Sequence, residues 1–396
     1  MPGHTKLATL QAVPRAIWWL GIVSLLMDLS SEMIHALLPA YLVVGLGASV
    51  LAVGIVEGIA EATASITKVF SGAISDLTGR RKPLALLGYG LAAITKPVFP
   101  LAGSLGVIVA ARFVDRIGKG IRGAPRDALV ADLAPAHLRG ASFGLRQSLD
   151  TVGAFLGPLV AIAAMLMSND SFVTVFWIAC IPAFVAVAVL ALGVDEPEPK
   201  RQGVARPRLS WSDVPAVGTG VWVVTGLAAL FTLGRFSEAF LILRAQADGV
   251  PLAMLPLVLV AMNIAYAASA LPVGIISDGP GGRLRMLAAG MVLLIAADLA
   301  LGLMPGLPGL CVGIVLWGLH MGFTQGVFAA MVADAAPERL RATAFGVFNL
   351  VTGLCLLAAS TIAGALWTAY GMQWTFLAGA GFAGLTLLIV LVWRPK

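Results

Sequence analysis

Twelve stretches of this chain are each apolar over the length needed to cross a lipid core, roughly 20 residues for about 30 Å. They fall near 16–42, 49–74, 83–103, 105–133, 141–166, 171–193, 216–243, 252–276, 286–304, 309–334, 345–367 and 373–393. Hydrophobic residues make up 59% of the sequence, charged residues 12%, and the mean hydropathy is +0.95. That leaves too little polar surface to cover a water-soluble core. Inside a bilayer each span must satisfy its own backbone hydrogen bonds, which spans of this length do as helices. The expected fold class is an all-α membrane protein.

The chain also repeats itself. Gly72-Ala-Ile-Ser75-Asp76 followed by Gly79-Arg80-Arg81-Lys82 recurs 202 positions later as Gly274-Ile-Ile-Ser277-Asp278 followed by Gly281-Gly282-Arg283-Leu284-Arg285. Val130-Ala131-Asp132-Leu-Ala134-Pro135 with Leu138-Arg139 recurs as Val332-Ala333-Asp334-Ala-Ala336-Pro337 with Leu340-Arg341. The expected organisation is two pseudo-symmetric six-helix bundles, 1–193 and 216–396, joined by a polar linker at 194–215. A duplicated membrane bundle is most often a transporter whose halves move around a central site.

Basic residues occupy every second connection: Lys6 with Arg15, Arg80 to Lys82, Arg139, Lys200 with Arg201, Arg283 with Arg285, Arg339 with Arg341, and Arg394 with Lys396. Basic loops stay cytoplasmic, so both termini are expected in the cytoplasm, in a bacterial-style inner membrane, with Arg244 the one clear exception. The isoelectric point near 9.5 follows from this topology and requires no nucleic-acid partner. Cys180, Cys311 and Cys355 lie inside spans without paired spacing and suggest neither disulfides nor zinc. The first fifteen residues lack the pattern of a cleaved signal peptide.

The loop Gly72 to Lys82 carries Gly-x-x-x-Asp-x-x-Gly-Arg-Arg/Lys, which resembles the signature of the major facilitator superfamily, and a weaker copy starts at Gly274. In the fourth span, Arg116-Ile-Gly-Lys119-Gly120 is similar to that family's Arg-x-x-Gln-Gly motif, with Lys119 where Gln is usual. In the fifth, Gly144, Gly153, Gly157 and Pro158 follow the spacing of the family's antiporter motif, whose last two glycines are here Ala161 and Ile162. The resemblance implies a secondary transporter, not an enzyme, working by alternating access without cofactor or metal, as a monomer exchanging protons for a small molecule. It also implies a cytoplasmic gate at Gly72, Asp76, Gly79, Arg80, Arg81, Asp132, Asp278 and Arg283. Glu57 and Glu61 with Asp115 are also similar to the sodium site of melibiose-type symporters, so uptake driven by protons or sodium is the rival. The basic fourth span leaves an organic anion open as substrate.

Charges inside spans cost roughly 2.5–3.5 kcal/mol each at a helix centre, so they mark an interior or a wet cavity. Asp28, Glu32 and His35 fall within an arc of roughly 60° on the first helix. Glu57 and Glu61 share a stripe of the second with Lys68 and Gly72. Arg112, Asp115, Arg116, Lys119, Arg122 and Arg126 fill an arc of roughly 120° on the fourth. We expect Asp28, Glu32, His35, Glu57, Glu61, Arg112, Asp115 and Arg116 to form a paired network in the first half that carries the coupling cation; the alternative is a static lattice of ion pairs. In the second half the corresponding charges are mostly gone: Arg116, Lys119, Arg122 and Arg126 become Gly318, Met321, Thr324 and Phe328. Candidate substrate-cavity residues are Lys119, Asp150, Arg235, Glu238, Asn263, Asp298, His320 and Asn349, with Phe236, Phe240, Trp317, Phe323 and Phe348 as an aromatic wall. A receptor or scaffold without transport would have little reason to keep so many costly charges. Gly140-Ala-Ser142-Phe-Gly144 mimics a hydrolase motif without its strand-turn-helix context, and the four histidines are too scattered to hold a metal.

Overall fold

The computed structural model describes residues 12–78, 80–196, 211–337 and 340–392, except for a few side chains, Asp76 among them. The linker expected at 194–215 is thus described only at its two ends. Twelve long helices occupy the expected spans: α1 Arg15–His35, α2 Val50–Thr78, α3 Lys82–Thr95, α4 Leu105–Leu133, α5 Arg139–Met167, α6 Phe172–Gly193, α7 Thr219–Gly234, α8 Leu257–Ser277, α9 Gly282–Leu303, α10 Gly306–Ala335, α11 Arg341–Tyr370 and α12 Met372–Val392. Short helices at Leu38–Ala40, Val98–Leu101 and Ala239–Ala247 extend α1, α3 and α7. Among the described residues there is no strand.

Eleven of the spans are long and apolar enough to cross a bilayer by composition alone. The remaining one is α4, 29 residues long, whose charged arc lowers its hydropathy. It is tolerated because Arg112, Asp115, Arg116 and Arg122 point inward and are buried. The turns use local chemistry. Ser171 caps α6 by accepting from the Thr174 amide at 3.3 Å, and Gly281 (φ +65°) and Gly371 (φ +97°) supply the left-handed backbone ahead of α9 and α12.

Packing groups residues 1–37 with 63–206 in one compact unit, and residues 38–62 with 207–396 in another. In the first unit α1 lies against α5 and α6, and α3 against α4, around Ile17, Leu20, Met27, Tyr89, Leu129 and Leu190. In the second, α9 packs on α10 and α12, α8 on α10, and α7 on α11 and α12. Residues 38–62 join the second unit through small residues. A Cβ on Gly58 would stand 2.9 Å from the Leu357 Cα, and one on Gly364 would stand 2.8 Å from the Leu51 Cα. This close approach also lets the Thr368 hydroxyl accept from the Leu51 amide at 3.2 Å. Such small-residue seams are how helices associate where lipid removes the hydrophobic drive.

One helix of the second unit is broken. α7 ends at Gly234, the chain unwinds over Arg235–Glu238, and helix resumes at Ala239. Unwound backbone at membrane depth persists only where protein or water satisfies it. Here Arg235 and Glu238 face each other at 3.9 Å, and the Ser237 amide donates to the Ser360 hydroxyl at 3.2 Å.

Candidate functional site

The charged arc of α4 meets partners from α1, α3 and α5. Lys96, just past the end of α3, donates to Asp115 Oδ1 at 2.9 Å and to Ser31 Oγ at 3.1 Å. The Arg116 Nε lies 3.8 Å from the other Asp115 oxygen. Lys96 and Asp115 are 1% and 5% exposed, so this pair is sealed. About two turns along α4 from Asp115, Arg122 donates to Asp28 Oδ1 at 3.4 Å, while its guanidinium lies over the Tyr89 ring at 4.9 Å. The Asp28 side chain is 21% exposed, which sets this pair apart from Lys96–Asp115.

Further along the same face, Arg126 donates to Asp150 at 3.2 Å, to Asp127 at 3.2 Å and to the Ser24 hydroxyl at 3.3 Å. Arg146 adds ion pairs to Asp150 at 3.5 Å and Asp127 at 3.9 Å. Asp150 also lies close enough to Asp28 for the two carboxyls to repel each other, so carboxyls from α1 and α5 stand beside the guanidiniums of Arg122 and Arg126. Asp150, taken from sequence as a substrate-cavity residue, therefore sits in the charge network. Lys119, on the same arc, is exposed.

The glycines of the antiporter-like motif set the spacing of α1 and α5. Gly153 rests on the Leu25 backbone, and a Cβ on Gly157 would stand 2.7 Å from Glu32 Cβ. Pro158 is buried beside them, whereas Gly144 is exposed and a Cβ there would meet nothing within 4 Å. The seam thus lies along the turn that carries Asp28 and Glu32. Glu32 in turn pairs with His35 Nδ1 at 3.3 Å. Arg112 and Arg116 are buried in the first unit, whereas Glu57, buried, and Glu61, half-buried, lie on the portion of α2 that groups with the second.

The signature loops carry matching ion pairs in both halves. Arg81 Nε lies 3.4 Å from Asp132 and its Nη1 donates to the Ser75 hydroxyl at 2.8 Å. Arg283 pairs with Asp334 and lies 4.0 Å from Asp278. A Cβ on Gly72 would stand 3.5 Å from the Ala124 methyl, whereas one on Gly274 would meet nothing within 4 Å. Arg80 is exposed. Gly79 and the Asp76 side chain lie outside the described residues. Glu196, from the start of the linker, accepts from the Arg81 and Lys82 amides at 2.7 and 2.8 Å, satisfying donors that a helix start leaves open.

In the second unit the candidates scatter. Asn263 and Asn349 are half-buried, and Asp298 and His320 are 0% exposed. The expected aromatic wall is largely a packed core. Phe236 sits 5.2 Å from both Phe240 and Trp317 and 5.6 Å from Phe376 by ring centroids, and all four are buried. Aromatic rings gain more from mutual packing than from exposure. Arg244, the exception to the charge pattern, is buried: it donates to the Leu301 and Met304 carbonyls at 3.0 and 3.1 Å and pairs with Asp248. It closes the C-terminal end of α9, where a cation is favoured.

Sequence reasoning missed Ser24, Ser31, Tyr89, Asp127, Arg146 and Glu196. The one local signal was Arg146 four residues before Asp150, an ion-pair spacing on a helix.

Among the described residues, twelve helices in a duplicated arrangement, with matched signature loops and a buried charge network, define a polytopic membrane transporter. The Major Facilitator Superfamily model matches residues 20–244 and 224–396, and the chain belongs to that family. It is 34% identical over 382 residues to an MFS-type transporter of Methanocaldococcus jannaschii, covering 95% of this chain and 94% of the relative. It is 30% identical over 151 residues to the multidrug resistance protein MdtH of Edwardsiella ictaluri, covering 38% of this chain and 37% of that protein. The solved nucleoside transporter NupG superposes with a TM-score of 0.80 at 14% identity, over 96% of this chain and 100% of that one, a likeness of fold alone.

Proposed function

We propose that this transporter exchanges protons for an exported small molecule, with Asp28 as the proton carrier. The observation that carries this reading is the contrast between two acid–base pairs on α4. Lys96–Asp115 is sealed and suits a fixed strut. Asp28–Arg122 is longer at 3.4 Å, its carboxyl is 21% exposed, and a second carboxyl, Asp150, adjoins it. A proton arriving at Asp28 cancels its attraction to Arg122 and relieves its repulsion from Asp150, so protonation changes how α1, α4 and α5 hold together. The antiporter-like glycines bring α5 onto that turn of α1, and the partial similarity to MdtH favours export.

Lys119 supports a wet path beside α4, because a lysine left exposed at that depth is costly against lipid. The halves on either side of the 194–215 linker would alternate around that path, with the Arg81–Asp132 and Arg283–Asp334 pairs holding the cytoplasmic side, both termini in the cytoplasm and the protein acting as a monomer.

Flux in proteoliposomes tests the reading. An imposed proton gradient should drive accumulation of at least one compound from a panel of amphipathic drugs and organic anions, and Asp28→Asn should abolish that movement while the purified variant stays folded. Full coupled transport by Asp28→Asn removes Asp28 from the mechanism. Flux driven by sodium and not by protons overturns proton antiport and makes Glu57 and Glu61 the carriers to replace.

A further inference from the structure

Asp298, on α9, is 0% exposed, and neither of its carboxyl oxygens has a hydrogen-bond partner. The repeat shows what is missing. Its counterpart 202 positions earlier is Lys96, which pairs with Asp115, and the counterpart of Asp115 is Trp317. In the second unit Gly313 rests on Leu301 and Gly290 on Thr324, a register that brings Asp298 level with Trp317 across the antiparallel α9 and α10. Trp317 is also 0% exposed, and its indole Nε1 is unpartnered. Where the first unit holds a salt bridge, the second holds an acid and an indole.

The carboxyl also lies beside the broken end of α7. The point at which a Cβ on Gly379 would stand is 3.0 Å from the Gly234 carbonyl oxygen and 3.0 Å from the Phe236 ring, and Asp298 Oδ2 is nearer still. The end of α7 presents carbonyl oxygens and the negative pole of the helix. That setting opposes a carboxylate and suits a carboxylic acid, whose O–H can donate to a carbonyl. A bare carboxylate there would bear the full cost of an unpaired buried charge.

The titratable groups on the surrounding elements offer no fixed cation. Helix α10 carries Cys311, His320 and, at its far end, Asp334; α8 carries Tyr266; α7 and α12 carry none; and α9 itself has only Arg283 and Arg285 at its opposite end. Arg235 faces Glu238 in the unwound segment, and Arg244 is held by Asp248 and the Leu301 and Met304 carbonyls.

We infer that Asp298 is a proton-binding site of the second unit, separate from the charge network of the first. It holds its proton as a neutral acid while Phe236 covers it, and ionises by passing that proton to water when the break at 235–238 opens. Phe236 is the cover because its ring is packed among Trp317, Phe240 and Phe376.

Infrared spectroscopy of the purified protein at neutral pH tests this without substrate or gradient, so the outcome at Asp28 leaves it untouched. A carbonyl stretch of a protonated carboxylic acid should be present in the wild type and lost in Asp298→Asn. Its deuterium shift after transfer to heavy water should be slow in the wild type and fast in Phe236→Ala. Should Asp298→Asn fail to accumulate, Asp298→Glu keeps an acid and should move the band. Identical carboxylic-acid bands in the wild type and the Asp298 variant overturn the site, and equal exchange in the wild type and Phe236→Ala overturns the cover.

Discussion

Arg81 lies 3.4 Å from Asp132, and 202 residues further along the chain Arg283 pairs with Asp334, so one ion pair is built twice in the same position of each repeat. The copies differ in shelter. The first has side chains 11% and 34% exposed and an additional bond from Arg81 to Ser75; the second is 27% and 62% exposed. Exposed pairs are worth about 0.2–1 kcal/mol and are screened by salt. Double-mutant cycles by thermal unfolding in detergent should give a larger coupling for Arg81–Asp132, and raising the salt should erase the Arg283–Asp334 coupling first. Equal couplings with equal salt dependence would contradict this ranking.

Lys96 and Asp115 behave differently because both are sealed. Removing one partner leaves a buried charge, a loss of about 3–5 kcal/mol. Lys96→Met should therefore lower the melting temperature, and adding Asp115→Leu should restore little of it, because Arg116, 3.8 Å from Asp115, shares that carboxylate. A Lys96→Met protein as stable as the wild type would show that the pair is not a strut.

Within the antiporter-like motif the glycines should split. Gly157→Val must push against Glu32 and the Leu29 carbonyl, an overpacking cost of about 1–3 kcal/mol. Gly144→Ala meets open space and should leave stability unchanged or slightly raised, since alanine favours helix. Thermal melts of the two variants decide it; equal losses would mean that the motif does not act through the α1–α5 seam.

Glu196 should be worth about 1 kcal/mol as a cap on α3, the scale of a capping side chain. Glu196→Ala should speed hydrogen exchange at the Arg81 and Lys82 amides, and Glu196→Gln should restore part of the protection. Unchanged exchange in Glu196→Ala would remove the cap.

The helices were legible because a span is a local property: about 20 apolar residues make one wherever they occur. The charged arc on α4 was legible for the same reason, since rotation about one helix axis follows from spacing. The pairings were not. Asp28 has its salt bridge with Arg122, a residue named only as part of an arc, and Asp150 joins that cluster because Gly153 and Gly157 bring α5 onto α1. Aromatic side chains in the second half suggested a ligand surface, yet Phe236, Phe240 and Trp317 pack on one another. Sequence records that a side chain is aromatic and gives no sign of what lies against it.

By itself the sequence determined the membrane environment, the number of spans and the duplication, because hydrophobic length and a repeated motif are written along one chain direction. Tertiary structure alone decided which charges are sealed in pairs and which stand partly open or without a partner. That depends on the depth of burial and on partners brought from three or four helices. Lys96 and Asp298 occupy the same position in the repeat, and only the neighbours packed around them make one an ion pair and leave the other an acid without a base.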